Sequence, residues 1–151
     1  MFGMIPFVKM AGRGLGKIFK GKDAEDALKK EVKDLGLAKD EIDIHVDDNG
    51  KVSVKGKGVT QEMKEKIILA VGNVEGVGEV EDGIEASDDA PASEFHTVVS
   101  GDTLWAISKR YYNKGSRYKE IFEANRPMLK HPDKIYVGQV LRIPADNAES
   151  V

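Results

Sequence analysis

Few residues in this chain have the types and spacing for covalent chemistry. There is no cysteine, so no thiol nucleophile, disulfide or thiolate metal site can form. His45, His96 and His131 are scattered over two expected strands and a loop. None of them belongs to a metal-spaced cluster or a nucleophile motif, and no enzyme is expected. Asp47 and Asp48 lie in an expected hairpin turn without the spaced ligands of a calcium loop. Trp105 can stack on a sugar ring, but an aromatic residue early in a helix serves equally to cover a core. What remains is a backbone feature, Gly72-Asn73-Val74-Glu75-Gly76-Val77-Gly78, following an expected helix. The last carbonyls of a helix carry the negative end of its dipole. Glycines let the chain fold back and aim several oxygens at one point. Neutral carbonyl oxygens suit a large, weakly hydrated, singly charged cation, whereas dense carboxylates suit calcium. Val71, Val74 and Val77 can bury around such a point and exclude water. By spacing alone, the same loop reads first as a plain helix C-cap and turn.

The elements that must position this loop are legible. The chain has 151 residues, 40% hydrophobic and 32% charged, with a net charge of -3. That is ordinary globular composition, and nucleic acid is not expected as a partner. Residues 86–94, A-S-D-D-A-P-A-S-E, are small, acidic and without apolar periodicity, and form a linker. The domains are therefore expected at residues 23–85 and 95–151, preceded by a lead segment, residues 1–22. The lead carries Lys9, Arg13, Lys17, Lys20 and Lys22 and no acid. Val8, Ala11, Leu15, Ile18 and Phe19 recur in it at near-helical spacing. The glycines at 3, 12, 14 and 16 argue against a free helix, so a short helix or collar packed on the next domain is expected. A membrane-surface helix is the alternative. No secretory signal or membrane-spanning run is read, which implies the cytoplasm.

In the first domain, residues 24–35 have Leu28, Val32 and Leu35 on one helical face. Ile42, Ile44 and Val46 alternate with polar residues, as do Val52 and Val54, and Asn49-Gly50 between them signals a hairpin. Thr60 can cap a second helix bearing Met63, Ile67, Ala70 and Val71, with Lys64-Glu65-Lys66 as a solvated face. A strand follows around residues 77–84. In the second domain a strand at 95–99 precedes a helix capped by Asp102, and Ser116 starts another helix. Residues 139–143 alternate as a last strand ended by Pro144. The fold class is α+β, with αββαβ followed by βααβ.

His96-Thr97-Val98-Val99-Ser100-Gly101-Asp102-Thr103-Leu104-Trp105, the middle block Ile121-Phe122-Glu123-Ala124-Asn125 and the closing Tyr136-Val137-Gly138-Gln139-Val140-Leu141-Arg142-Ile143-Pro144 resemble a LysM domain. The resemblance implies a groove for N-acetylglucosamine polymers such as peptidoglycan, formed by Gly101, Asp102, Thr103 and Leu104 with Asn125, Arg126, Pro127 and Met128. Residues 130–134 make a longer approach to the last strand than that pattern has. Val52-Ser53-Val54-Lys55-Gly56 and the 72–78 loop resemble parts of a BON domain, a class associated with phospholipid interaction.

A BON domain, an acidic linker and one LysM domain together resemble a family of bacterial potassium-binding proteins. Residues 7–12, 64–73 and 122–130 carry that likeness along the chain. The resemblance implies potassium as the ligand, held by backbone carbonyls of Val8, Lys9 and Ala11 with those of Gly72, Val74 and Val77. It implies a cytoplasmic sensor or buffer, ordered by the ion and monomeric, with glycan binding or lipid association as alternatives.

Overall fold

The computed structural model describes residues 3–6, 21–37, 42–48, 50–74 and 76–146. The chain divides into two compact units, Met1–Ala90 and Pro91–Val151.

The first unit runs β1 (Gly3–Pro6), α1 (Gly21–Asp34), β2 (Ile42–Val46), β3 (Val52–Val59), α2 (Gln61–Gly72) and β4 (Glu79–Ala86). Its sheet has the order β1-β4-β3-β2. The β2–β3 pair is antiparallel, with Ile44 opposite Val54. β3 and β4 are parallel, with Val52 opposite Val80, so the chain must cross over between them, and α2 is that crossover. Both helices cover one face of the sheet. α1 buries Ala24, Leu28 and Val32, spaced four apart. The sheet contributes Ile44, Val46, Val52, Val54, Val80 and Ile84 to the same core. The outer face of α1 carries ion pairs at four-residue spacing, such as Lys30–Asp34 at 2.6 Å, which add little at an exposed surface.

In this unit residues 3–6 of the lead segment form a strand, and the helix or collar expected over Val8 to Phe19 lies outside the described residues. β1 pairs antiparallel to β4, Gly3 opposite Asp82 and Pro6 opposite Glu79, so one strand precedes the expected αββαβ. The physical reason is the edge of β4, whose backbone groups β1 satisfies. α1 then starts at Gly21, inside the stretch assigned to the lead. Lys64-Glu65-Lys66 is not a solvated face either. Glu65 is 3% exposed and accepts a 2.7 Å hydrogen bond from the Gln61 side chain. Lys64 reaches Asp82 of β4 at 3.1 Å in a mostly buried ion pair, and Asp82 also accepts from the Ile84 N–H.

The second unit runs β5 (Glu94–Thr97), α3 (Leu104–Tyr112), a 3-10 turn (Gly115–Arg117), α4 (Tyr118–Ala124) and β6 (Val140–Ile143). β5 and β6 form an antiparallel pair. Val98, Leu104, Ile107, Tyr112, Ile121, Leu129, Leu141 and Ile143 make one core cluster. β6 does not alternate as expected, because all four of its residues are buried. Arg142 is buried because its guanidinium donates to the Ala124 carbonyl at 2.9 Å and to Ser93 Oγ at 3.1 Å. The N-cap of α3 is Thr103 and not Asp102. Thr103 Oγ1 accepts from the Ala106 N–H, while Asp102 is drawn to Val99 and His96. Among the described residues no helix is long and apolar enough to cross a membrane.

Candidate functional site

The loop between α2 and β4 is built by the way α2 ends. Ile67 to Gly72 are buried at every position, although a helix has faces in all directions. The end of α2 is therefore enclosed on all sides. Asn73 caps it in an ordinary right-handed conformation, its N–H bonding the Leu69 and Val71 carbonyls. The chain then closes two tight turns, Val74 N–H to Val71 at 3.3 Å and Val77 N–H to Val74 at 3.1 Å. These turns gather Gly72, Val74 and Val77 into one short arc. Val71 and Val77 have no exposed surface and Val74 is half-buried, so the arc has apolar walls. Each carbonyl oxygen has two lone pairs, and the Val74 oxygen keeps one for a further partner.

The glycines of this loop divide into two kinds. Gly76 has φ of 103°, a conformation side-chain-bearing residues avoid. Gly72 and Gly78 lack a left-handed φ, and a Cβ added at Gly78 would meet nothing within 4 Å. The expectation that all three fold the chain back is thereby corrected to Gly76. Val8, Lys9 and Ala11 lie outside the described residues. The neighbouring β1 is described, and its Pro6 pairs with Glu79, the residue after Gly78. The chain thus leaves β1 beside the end of the 72–78 loop. Among the described residues, no group of three or more His, Cys, Asp or Glu is placed to hold a metal ion.

The residues expected to line a glycan groove stand on two turns that border one core. Gly101 has φ of 91°, Thr103 caps α3, and Leu104 is buried in the cluster that also holds Leu129. Asn125 is not a surface ligand. Its side chain donates to the Ile121 and Arg142 carbonyls at 2.7 and 3.0 Å and accepts from the Arg142 N–H at 2.8 Å. Arg126 is exposed and pairs with Glu123 at 3.2 Å. Pro127 follows it through a cis peptide bond, and Pro127 and Met128 are half-buried. Asp102 accepts from the Val99 N–H at 2.9 Å and from His96 Nε2 at 2.8 Å.

The sequence reading missed the partners of His96 and Tyr112. His96 is 7% exposed, held between Asp102 and the Tyr111 hydroxyl at 3.0 Å. Its position on a strand gave no sign of burial, and only the three-dimensional meeting of β5, the following turn and α3 reveals it. Burial opposes ionisation of Asp102, but the Val99 N–H and His96 outweigh it and hold this carboxyl below the usual aspartate value. Tyr112 donates to the Pro144 carbonyl at 2.6 Å, and burial pushes its hydroxyl up to about 12. Trp105 is half exposed, yet one ring face lies against Gly115, where an added Cβ would sit 2.1 Å from a ring atom.

Residues 21–88 match the family model described as BON domain, and residues 96–144 match that described as LysM domain. A protein of Escherichia coli O6:H1 called "Potassium binding protein Kbp" is 48% identical over 149 residues, covering 95% of this chain and 99% of that protein. An uncharacterized protein of Deinococcus radiodurans is 39% identical over 57 residues, 38% of this chain and 22% of its own length.

Proposed function

The chain belongs to the family of the potassium binding protein Kbp, a BON domain followed by a LysM domain, and from that membership we propose that it binds a potassium ion at the α2–β4 loop. The carbonyls of Gly72, Val74 and Val77 supply one side of the site, and those of Val8, Lys9 and Ala11 the other. The observation that carries this reading is the β1–β4 register. With Pro6 opposite Glu79, the residues after Pro6 start beside the loop that ends at Gly78. The β1–β4 pair supports a site shared by two segments far apart in sequence.

The chemistry of the loop fits this ligand. Main-chain oxygens replace a hydration shell without adding charge, which suits a large monovalent ion. The buried Val71 and Val77 keep water out, and the helix dipole of α2 places partial negative charge at the site. The ion adds a bridge between the lead segment and the loop, so it favours the ordered state it binds best. The output is a conformational sensor or buffer in the cytoplasm, without a catalytic step.

The test is a titration of desalted protein with potassium chloride against matched sodium chloride, followed by amide NMR. A saturable shift confined to potassium and centred on residues 8–12 and 72–78 is expected. Equal responses to both salts would overturn the proposal.

A second reading, N-acetylglucosamine polymer binding by the LysM unit, is favoured by the exposed Val99, Tyr136 and Val137. They are brought together where the Gly138 N–H bonds the Val98 carbonyl at 2.9 Å. Chito-oligosaccharides shifting these residues while leaving residues 72–78 unmoved would establish it as a separate activity.

A further inference from the structure

β2 is the last strand of its sheet, which runs β1-β4-β3-β2, and no strand among the described residues lies on its other side. Two hydrogen bonds show which backbone groups of β2 point that way. The Asp47 N–H bonds the Lys51 carbonyl at 3.0 Å, so it faces along the β3 side. The Val46 N–H faces the opposite way and donates to the Glu25 carboxylate of α1 at 3.2 Å. These directions alternate along a strand, so Ile42 and Ile44 also turn their N–H and C=O groups to the open edge. The side chains alternate as well. Ile44 and Val46 are buried and Ile42 is half-buried on the core face, while Asp43 and His45 are exposed on the other face.

We propose that β2 is a docking strand for a second copy of this chain, and that Glu25 is the guard that must leave before the two can pair. An open edge is a template for another strand, and this one is complementary to itself in one register. Antiparallel pairing about Ile44 sets the two Ile44 residues opposite each other and Ile42 opposite Val46, so the core face is apolar throughout. On the outer face it sets Asp43 of each copy opposite His45 of the other. These are non-hydrogen-bonded pairs, whose side chains approach most closely. Pairing about Asp43 would put carboxylate against carboxylate. Pairing about His45 would put Asp43 against Asp47, and like charges directly opposite are destabilising. The Ile44 register needs the Val46 N–H for the Ile42 carbonyl of the second copy, and that N–H is the one Glu25 holds. Glu25 stands one turn into α1, anchored by Lys29 at 3.2 Å, and its other oxygen also meets His45 Nδ1 at 3.0 Å. It therefore occupies both the backbone donor and the imidazole that the second copy would take. Pairing would join the two sheets into one continuous sheet.

The experiment follows sedimentation of the full chain across a dilution series, with hydrogen exchange of the Ile44 amide measured alongside. At concentrations where the wild type is monomeric and its Ile44 amide exchanges freely, Glu25→Ala should dimerise. Its self-affinity should be higher by about ten-fold or more, the worth of the backbone donors it releases, and dimerisation should slow Ile44 exchange. Unchanged β2 and β3 amide shifts in the dilute variant establish that the monomer is folded. Adding His45→Asp to Glu25→Ala sets two carboxylates opposite each other and should break the dimer. Adding Asp43→His as well returns an acid to face each imidazole and should restore it. A folded Glu25→Ala chain that stays monomeric, or a dimer indifferent to His45→Asp, overturns the proposal. An Ile44 amide already protected in the wild-type monomer would mean that another segment of this chain fills the edge, and overturns it too. A wild type that dimerises as tightly as Glu25→Ala overturns the role of Glu25.

Discussion

Gly76 and Gly78 stand two residues apart and make opposite demands. At φ of 103° Gly76 holds a conformation that an alanine reaches only with strain, and Gly78 has an ordinary φ and open space where a Cβ would go. Gly76→Ala is therefore expected to rearrange the loop and weaken potassium binding at least ten-fold. The exposed position of Gly76 confines the change to the loop, at a stability cost of about 1–2 kcal/mol. Gly78→Ala should leave both affinity and stability unchanged. Parallel potassium titrations and urea melts check the pair, and equal behaviour of the two variants would remove this loop from the site. Asn125 makes a similar point in the second unit. Its side chain donates to the Ile121 and Arg142 carbonyls and accepts from the Arg142 N–H, so Asn125→Ala removes buried hydrogen bonds to both backbone groups of Arg142. A loss of about 3 kcal/mol is expected in a denaturant melt. The sequence showed the types of these residues and not their obligations. A motif asparagine looks the same whether it faces a sugar or holds a strand, and the glycines of one loop are distinguished only by their dihedral angles.

At the scale of elements, the two helices and three of the strands of the first unit follow from periodicity, because one face of each is buried and the other wet. Ile44 and Val46 point inward and His45 outward, which is the alternation read in the sequence. β1 could not be read this way. Four residues ending in proline at a sheet edge show no alternation, and the pairing is set by the open side of β4. The polar face of α2 is not solvated, because Lys64 meets Asp82 only after α2 has packed on β4, while Glu65 bonds Gln61 one turn back on the same helix. The turn between β5 and α3 yields a pH prediction of its own. Asp102 has its pKa lowered by the Val99 N–H and His96, so the unfolded chain binds its proton more tightly than the folded one. This stabilisation is complete above the unfolded value of about 4 and is lost as pH falls through the lower folded value. Asp102→Asn, which keeps an acceptor for Val99, should flatten the loss of stability of the second unit below about pH 4. Identical acid profiles for the variant and the wild type would show that the His96–Asp102 contact is not maintained in solution.

At the scale of the whole chain, each unit has its own core, one of sheet and two helices and one of two strands and two helices. The proposed ion site lies within the first unit, and its loop, β1 and β4 belong to Met1–Ala90. A ligand that binds only the folded form of one unit stabilises that unit alone. At a hundred times its dissociation constant the gain is about 2.7 kcal/mol, which in a domain of this size raises the melting temperature by about 10 °C or more. Calorimetry of the full chain should therefore show potassium moving one transition upward and leaving the other in place, with sodium moving neither. Chito-oligosaccharides, if the LysM unit binds them, should move the transition that potassium leaves alone. A potassium-dependent rise of both transitions together would mean that the ion acts on the two units as one body, and the site would then have to be sought outside the α2–β4 loop.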